Sequence, residues 1–178
     1  MFKQRDKKKM KRMGLFMKNI MTRRVKLPFQ IIGNNLKQVL QDNLKKRIEG
    51  RCVNEGFVKA ESINIITYSS GIIAANNVIF DVMFESLICR PVEGQKFKCI
   101  IKNITKAGIR AERNTPKTPV VVFIARDHHY QSKYFATLKE GDEIYIRVIG
   151  QRFELNDKYI SIIATLVEPK KTLVATTT

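Results

Sequence analysis

Between Arg90 and Leu166 the sequence alternates apolar and polar residues in short runs separated by turn-forming residues. The first run follows a turn at 90–94 and alternates apolar residues with lysines: Lys96, Phe97, Lys98, Cys99, Ile101 and Lys102. A period of two is typical of a strand that buries one face and exposes the other. The pattern therefore predicts β-structure in this half of the chain, with basic side chains on its outer face.

Four more strand-like runs follow within the same region. They cover 109–112, 120–125, 143–150 and 158–166, and the last two are joined through the hairpin turn Asn156-Asp157. A longer excursion, beginning at Arg126-Asp127-His128-His129-Tyr130, separates the third run from the fourth. Five short strands with this spacing and a basic surface predict an OB fold, a five-stranded barrel that binds nucleic acid.

The charge of the chain favours a polyanionic partner. It has 33 Lys and Arg against 16 Asp and Glu, a net charge of +17. Residues 1–26 hold 11 basic residues and one acidic residue, so the remainder, with 22 and 15, is also cationic. A membrane is the competing polyanion, but no apolar run approaches the roughly 20 residues of a spanning helix, and charges interrupt every apolar stretch before Leu27.

The cysteines indicate neither a disulfide framework nor a metal site. Cys52, Cys89 and Cys99 are odd in number and widely spaced, and two of them lie in apolar runs where buried free thiols are common. We therefore expect an intracellular protein from a reducing compartment, with no metal and no cofactor. No phosphate-binding glycine loop, nucleophile elbow or Asp-rich cluster is present, which argues against an intrinsic enzyme activity.

The N-terminal half predicts an α+β unit, a small antiparallel sheet with one helix. Asn34 or Asn35 can cap the helix, and Gly50 can end it. Its apolar stripe repeats every three or four residues: Leu36, Val39, Leu40, Leu44 and Ile48. Strands are predicted at 15–27, at 51–60 with a bulge or a bend at Glu55-Gly56, at 62–67 and at 78–89. A polar, small-residue loop is predicted between the last two.

Four segments follow from these patterns. Residues 1–14 are expected to be a basic disordered extension and residues 169–178 a frayed tail. Residues 15–89 are expected to form the α+β domain, and residues 90–168 the OB-fold domain.

Basic and aromatic residues of the second half are the candidate RNA-binding residues. They are Lys96, Lys98, Lys102, Lys106, Arg110, Arg113, Arg126, His128, His129, Tyr130, Lys133, Tyr134, Arg147 and Arg152. The second strand lacks the aromatic residue that many OB folds place there, so base stacking is expected from Tyr130, Tyr134, Tyr145 or the histidines. Affinity should then depend mainly on charge and fall with added salt.

The His128-His129 pair leaves three interpretations open. It could be a polar turn at the rim of the barrel, an RNA contact, or part of a metal or acid–base site. A zinc site needs three or four convergent ligands, and no cysteine or further histidine stands at ligand spacing, so metal is the weakest of the three.

Short segments spread along residues 15–168 resemble the seventh subunit of eukaryotic RNA polymerase II and its counterpart in archaeal RNA polymerase. The residues that carry the likeness are Gly33-Asn34-Asn35-Leu36, Glu49-Gly50-Arg51-Cys52, Gly56-Phe57-Val58, Ser70-Gly71-Ile72-Ile73, Arg90-Pro91-Val92-Glu93-Gly94, Asp142-Glu143-Ile144, Val148-Ile149-Gly150 and Asn156-Asp157. Residues 122–130 look more like versions from large DNA viruses.

This resemblance implies a non-catalytic stalk subunit of a DNA-directed RNA polymerase. Its partners would be the large polymerase subunits, a helical fourth-subunit-like protein and emerging single-stranded RNA. It would act at the site of transcription, either the nucleus or, for a virus, a cytoplasmic factory and virion. The implied docking segment is the loop of Tyr68, Ser69, Ser70, Gly71, Ile72, Ile73, Ala74, Ala75, Asn76 and Asn77.

Two other functions fit the residues. One is a free-standing OB-fold RNA-binding protein acting in translation or RNA decay. The other is an RNA-processing enzyme that uses the His128-His129 turn as its active site. The apolar segment Ile72-Ile73-Ala74-Ala75 favours the polymerase subunit, because a free RNA binder has no evident use for it.

Overall fold

The computed structural model of the protein describes residues 14–113 and 118–168. The frayed tail predicted at 169–178 lies outside the described residues, and so does the predicted extension at 1–14 except for Gly14.

The first half forms a six-stranded antiparallel sheet with a helix on one face. Its elements are β1 (Phe16–Pro28), a 3-10 turn (Phe29–Ile31), α1 (Leu36–Ile48), β2 (Cys52–Val53), β3 (Gly56–Val58), β4 (Asn64–Tyr68), β5 (Ile72–Ala74) and β6 (Asn77–Cys89). The order is β1-β6-β3-β2, and β4 and β5 also pair with β6. The predicted α+β architecture is confirmed.

Strand β6 organises this sheet because alternate side chains point into one apolar core. Val78, Phe80 and Val82 are buried on the predicted face, and Leu40 and Leu44 of α1 are buried in the same core. Each such side chain stabilises the fold by roughly 1.5–3 kcal/mol when fully buried. The two long strands β1 and β6 pair over their whole lengths, which fixes the register of the sheet.

One local prediction for this half was wrong. Asn35 is the N-cap residue of α1, but its side chain makes no capping hydrogen bond. Of the bulge or bend predicted at Glu55-Gly56 the structure has the bend, because Glu55 lies in the turn of a hairpin between β2 and β3. Gly56 adopts φ +133°, and a Cβ there would lie 2.5 Å from the Cys89 carbonyl oxygen, so the hairpin packs against β6 without room for a side chain.

The second half forms the closed five-stranded barrel that the sequence predicts. Its elements are β7 (Lys96–Ile104), β8 (Gly108–Glu112), β9 (Val120–Ala125), a 3-10 turn (Arg126–His129), α2 (Lys133–Thr137), β10 (Glu143–Arg152) and β11 (Ile160–Leu166). The strand order around the barrel is β10-β11-β9-β8-β7, with β9 and β11 parallel. The short helix α2 was not predicted; Ser132 caps it by accepting a hydrogen bond from the Phe135 N–H.

The barrel and the sheet share a packed junction. Cys52 N–H donates to the Asp157 carbonyl (2.8 Å), and Asn156 N–H donates to the Cys52 carbonyl (2.9 Å). Leu15, Cys52 and Cys89 are buried in the same apolar cluster as the barrel interior. The β10–β11 turn is therefore tied to β2 by main-chain hydrogen bonds as well as by apolar packing.

Candidate functional site

The predicted RNA-binding residues lie on more than one side of the barrel. In the antiparallel pair of β7 and β10, Lys96 lies opposite Arg147 and Lys98 lies opposite Tyr145. Arg110 lies on β8, whose other neighbour is β9. The β7–β10 pair and the β8–β9 pair share no strand, so these residues lie on two adjoining surfaces of the closed barrel, with β7 next to β8.

The β7–β10 surface combines cations with one aromatic ring. Lys98 forms an ion pair with Glu143, and its Nζ lies 5.7 Å from the centre of the Tyr145 ring. Tyr145 is 54% exposed, and both Lys96 and Arg147 are exposed beside it. Because a carboxylate already offsets part of the charge, this surface attracts phosphates less strongly than its three cations alone would.

The β8–β9 surface carries an arginine and an aromatic residue at paired positions of neighbouring strands. Arg110 on β8 is paired with Phe123 on β9, and Phe123 is paired with Ile163 on β11. Sequence reasoning missed Phe123 because it lies within six consecutive apolar residues, where alternation cannot be seen. Its orientation follows from the alternation of side chains along a strand: Val122 and Ile124 are buried, so the residue between them points outward.

Three further cations lie near one end of these strands. Arg126 N–H donates to the Ala107 carbonyl (3.0 Å), and the Arg126 guanidinium donates to the Thr105 carbonyl (3.1 Å). This holds Arg126 against the β7–β8 turn that carries the exposed Lys106. Lys102 is exposed in an irregularity of β7, between its pairings with β8. The turn and the 3-10 segment therefore bring Arg126 and Lys106 to the same rim.

His129 has an internal role in this structure. Its Nε2 accepts a hydrogen bond from the Leu166 N–H (3.2 Å) and lies 3.3 Å from Thr165 Oγ1. Its ring stacks on Phe135, with centroids 5.5 Å apart. Burial lowers the pKa of His129, and the charge of the adjacent His128 lowers it further. These contacts attach the excursion to β11 and give no support to an acid–base site.

The remaining candidates differ in their access to solvent. Tyr134 packs against the barrel core, and the Arg113 guanidinium lies 6.0 Å from the centre of the Phe97 ring. Arg152 forms an ion pair with Glu154 (3.2 Å). Three are exposed on the excursion: His128, Tyr130, which is 78% exposed, and Lys133.

The predicted docking loop contains a strand. Ile72–Ala74 forms β5, which pairs with β6. Residues 72–77 therefore belong to a tight hairpin, and residues 68–71 lead into it from the end of β4. Ile72 and Ile73 are 62% and 70% exposed. The turn residue Ala75 adopts φ +52°, a backbone conformation that costs a residue with a Cβ about 1 kcal/mol or more.

This hairpin is held firmly to the sheet beneath it. Ser69 N–H donates to the Asp81 carbonyl, and Asp81 N–H donates to Ser69 Oγ, both at 3.0 Å. A Cβ at Gly71 would lie 2.2 Å from a Val78 methyl group and 2.8 Å from the Phe80 ring, so only glycine permits this close approach. The two exposed isoleucines are thus presented by a fixed backbone.

The cysteines are buried and free, as the sequence suggested. Burial raises the pKa of Cys52 to about 11 and that of Cys89 and Cys99 to about 12. Within residues 14–113 and 118–168 no group of three or more His, Cys, Asp or Glu side chains could hold a metal ion. No helix in the described part of the chain is long and apolar enough to cross a membrane.

The proteins that match this chain in sequence are named as subunits of DNA-directed RNA polymerases. A putative DNA-directed RNA polymerase subunit of Acanthamoeba polyphaga mimivirus is 30% identical over 158 residues, covering 80% of this chain and 76% of that protein. Subunit 7 of RNA polymerase II from Arabidopsis thaliana is 26% identical (79% and 86% covered), and the corresponding Glycine max subunit is 25% identical (80% and 88%). No protein-family model matches the sequence.

Among solved structures, the solution structure of GSP13 from Bacillus subtilis is 14% identical with a TM-score of 0.36, covering 47% of this chain and 64% of that one. So distant a likeness adds nothing to the topology described above. The sequence matches are stronger, since they span both the sheet and the barrel. By its identity to the mimivirus protein over most of both chains, the chain belongs to the family of DNA-directed RNA polymerase subunits that includes subunit 7 of RNA polymerase II.

Proposed function

We propose that the chain is a non-catalytic stalk subunit of a multisubunit DNA-directed RNA polymerase. It docks on the large subunits through the hairpin at residues 68–77, binds a helical fourth-subunit-like partner, and contacts nascent single-stranded RNA with its barrel. The observation that carries the proposal is the hairpin with two uncovered isoleucines, in a chain whose relatives are named as polymerase subunits.

The docking step rests on apolar burial. Ile72 and Ile73 lose contact with water only if another surface covers them, and burying an isoleucine is worth roughly 1.5–3 kcal/mol. A rigid backbone lowers the entropic cost of that contact, because little ordering remains to be done on binding. The hairpin is therefore suited to insert into a preformed apolar site.

The test is co-purification from the native source with Ile72 and Ile73 both replaced by Asp. We expect the large polymerase subunits to be lost while circular dichroism stays unchanged. The matched control is Leu155→Asp, which alters an equally exposed apolar residue (62%) on the barrel and should retain the polymerase. A folded double variant that still recovers the large subunits would refute the docking assignment.

A second apolar surface is proposed to bind the helical partner. Ile20 is 59% exposed, and Phe29 and Ile31 are each 46% exposed, whereas the nearby Phe16 and Ile32 are half-buried. Exposed apolar patches on a folded protein commonly mark interaction sites. A chain that stays monomeric and recovers no helical partner from its source extract would contradict this assignment.

RNA binding is proposed to depend mainly on phosphate contacts. Each neutralised phosphate adds about −0.7 to the slope of log affinity against log salt for a single strand. Replacing Lys102, Arg110 and Arg126 with Gln should weaken binding equally across sequences and flatten that slope. The matched control removes three exposed cations from α1 instead: Lys37, Lys46 and Arg47.

A salt-independent affinity, or a barrel triple variant that binds RNA as well as the α1 triple variant, would contradict the charge-based mechanism. Incubating labelled RNA with the chain, with and without divalent metal, tests the non-catalytic assignment, because any cleavage of the RNA would contradict it.

The site of action follows from the same proposal. The subunit would act inside the cell where its polymerase transcribes, either in the nucleus or, in a viral system, in a cytoplasmic factory and the virion. Imaging of the tagged chain together with newly made RNA distinguishes these places.

A further inference from the structure

The β8–β9 surface carries an uncovered apolar area that the proposed phosphate contacts do not use. Phe123 is 39% exposed and Ile163, its neighbour on β11, is 49% exposed. Arg110 lies on the other side of Phe123, on β8, and its side chain is 57% exposed. We refer to these three residues as the Phe123 platform. Its apolar centre, which joins Phe123 and Ile163 on neighbouring strands, has no counterpart among the residues described above for the β7–β10 surface.

The glycine on β8 determines where the phenyl ring lies. Phe123 is paired with Arg110, but its ring tip, Cζ, lies 3.1 Å from the position that a Cβ of Gly108 would take. The ring therefore reaches diagonally over the glycine backbone. Gly108 has φ +157° and an ideal Cβ there would lie 2.2 Å from the Ile124 carbonyl oxygen, so a side chain at this position would displace both strand and ring.

This arrangement matches the two parts of a nucleotide. A base can stack on an exposed aromatic face, and a guanidinium group beside it can bind the phosphate that follows. Arg110 forms an exposed ion pair with Glu112 (3.4 Å), and such surface pairs contribute little stability in water, so a phosphate can compete for the guanidinium group. The exposed Lys106 lies two residues before Gly108 on the adjoining turn. An acidic protein could form ion pairs with Arg110 and Lys106, but such a partner would not account for the exposed ring of Phe123 between them and Ile163.

We infer that the Phe123 platform is the base-stacking site of the barrel and that it takes unpaired bases of single-stranded RNA. The inference rests on the proposed RNA contact and assigns to Phe123 the stacking that the sequence had suggested for Tyr130, Tyr134, Tyr145 or the histidines. A base pair inside a duplex has both of its faces covered by its neighbours. The platform therefore accepts single strands and rejects a continuous duplex.

The test measures the affinity of the full-length chain by fluorescence anisotropy for three probes. These are a labelled single-stranded RNA of about 12 nucleotides, its abasic ribose-phosphate counterpart, and the same RNA annealed to its complement. Phe123→Ala should weaken binding of the intact single strand about 5- to 150-fold, leave the abasic probe unchanged, and leave the salt slope unchanged. Phe123→Tyr, which keeps an aromatic face, should restore affinity.

The matched control is Tyr159→Ala, which removes a more exposed ring (53%) just before β11 and should change affinity less than twofold. Circular dichroism and thermal unfolding confirm that each variant is folded. A folded Phe123→Ala variant that binds the single strand like its parent overturns the inference while the RNA contact stands. Equal affinity of the parent for intact and abasic probes overturns it too. A parent that binds no RNA overturns the proposed function together with this inference.

Discussion

Replacing His129 with Ala should destabilise the barrel, although the residue looks in sequence like a surface contact. The imidazole accepts a hydrogen bond from the Leu166 N–H at 3.2 Å and stacks on Phe135. Leu166 belongs to β11, the strand that pairs with both β9 and β10. Loss of the ring would leave a part-buried backbone donor without this acceptor.

The magnitude follows from the two contacts. Removing the acceptor of a part-buried N–H costs about 1–2 kcal/mol, and the lost ring stack costs about 0.5–1 kcal/mol. Together the free energy of unfolding should fall by about 1.5–3 kcal/mol. His128→Ala is the control, since His128 is exposed, and such surface changes usually stay within about 0.5 kcal/mol.

Urea unfolding at neutral pH measures both variants. A His129→Ala variant as stable as His128→Ala would refute the stabilising role of the His129 contacts with Leu166 and Phe135.

The pH dependence of stability gives a second check. Because burial lowers the pKa of His129 in the folded protein, the unfolded chain binds more protons below its usual value of about 6.5. The parent should therefore lose stability as pH falls below about 6.5, and the His129→Ala variant should lose less.

Two further predictions concern the rest of the fold. The Glu49 carboxylate accepts hydrogen bonds from three backbone N–H groups of the loop after β3, at 2.9–3.1 Å, so Glu49→Ala should lower the free energy of unfolding by about 2–4 kcal/mol, measured by urea unfolding. Unchanged stability would contradict that role. Cys89 and Cys99 are buried with pKa values near 12, so a thiol reagent at pH 8 should modify them only after denaturation. Rapid labelling of the folded chain would contradict the packing.

The barrel was predictable because alternation and turns are local signals. Short runs that alternate or are wholly apolar, separated by turn residues such as Asn156-Asp157, indicate strands whatever their partners are, and the number and spacing of the five runs suggest the topology. The same holds for β6, where Val78, Phe80 and Val82 alternate cleanly. These predictions use only the requirement that one face of a strand be buried.

The details that sequence could not provide depend on tertiary contacts. Phe123 lies in an apolar run without alternation, so its outward direction depends on which neighbours are buried. The internal role of His129 depends on a strand 37 residues later in the chain. Which cations share a surface depends on the order β10-β11-β9-β8-β7, which brings β8 next to β9 but separates both from β10.

The central claim is that this chain contacts the emerging transcript as a polymerase subunit. The most direct measurement is photo-crosslinking in a stalled elongation complex purified with the tagged chain, whose transcript carries 4-thiouridine near the exit. We expect crosslinked peptides of this chain from β8, β9 and the Arg126–Tyr130 segment, and fewer from the Phe123→Ala variant. A complex that contains the chain and elongates RNA, but crosslinks the transcript only to other subunits, would contradict the account.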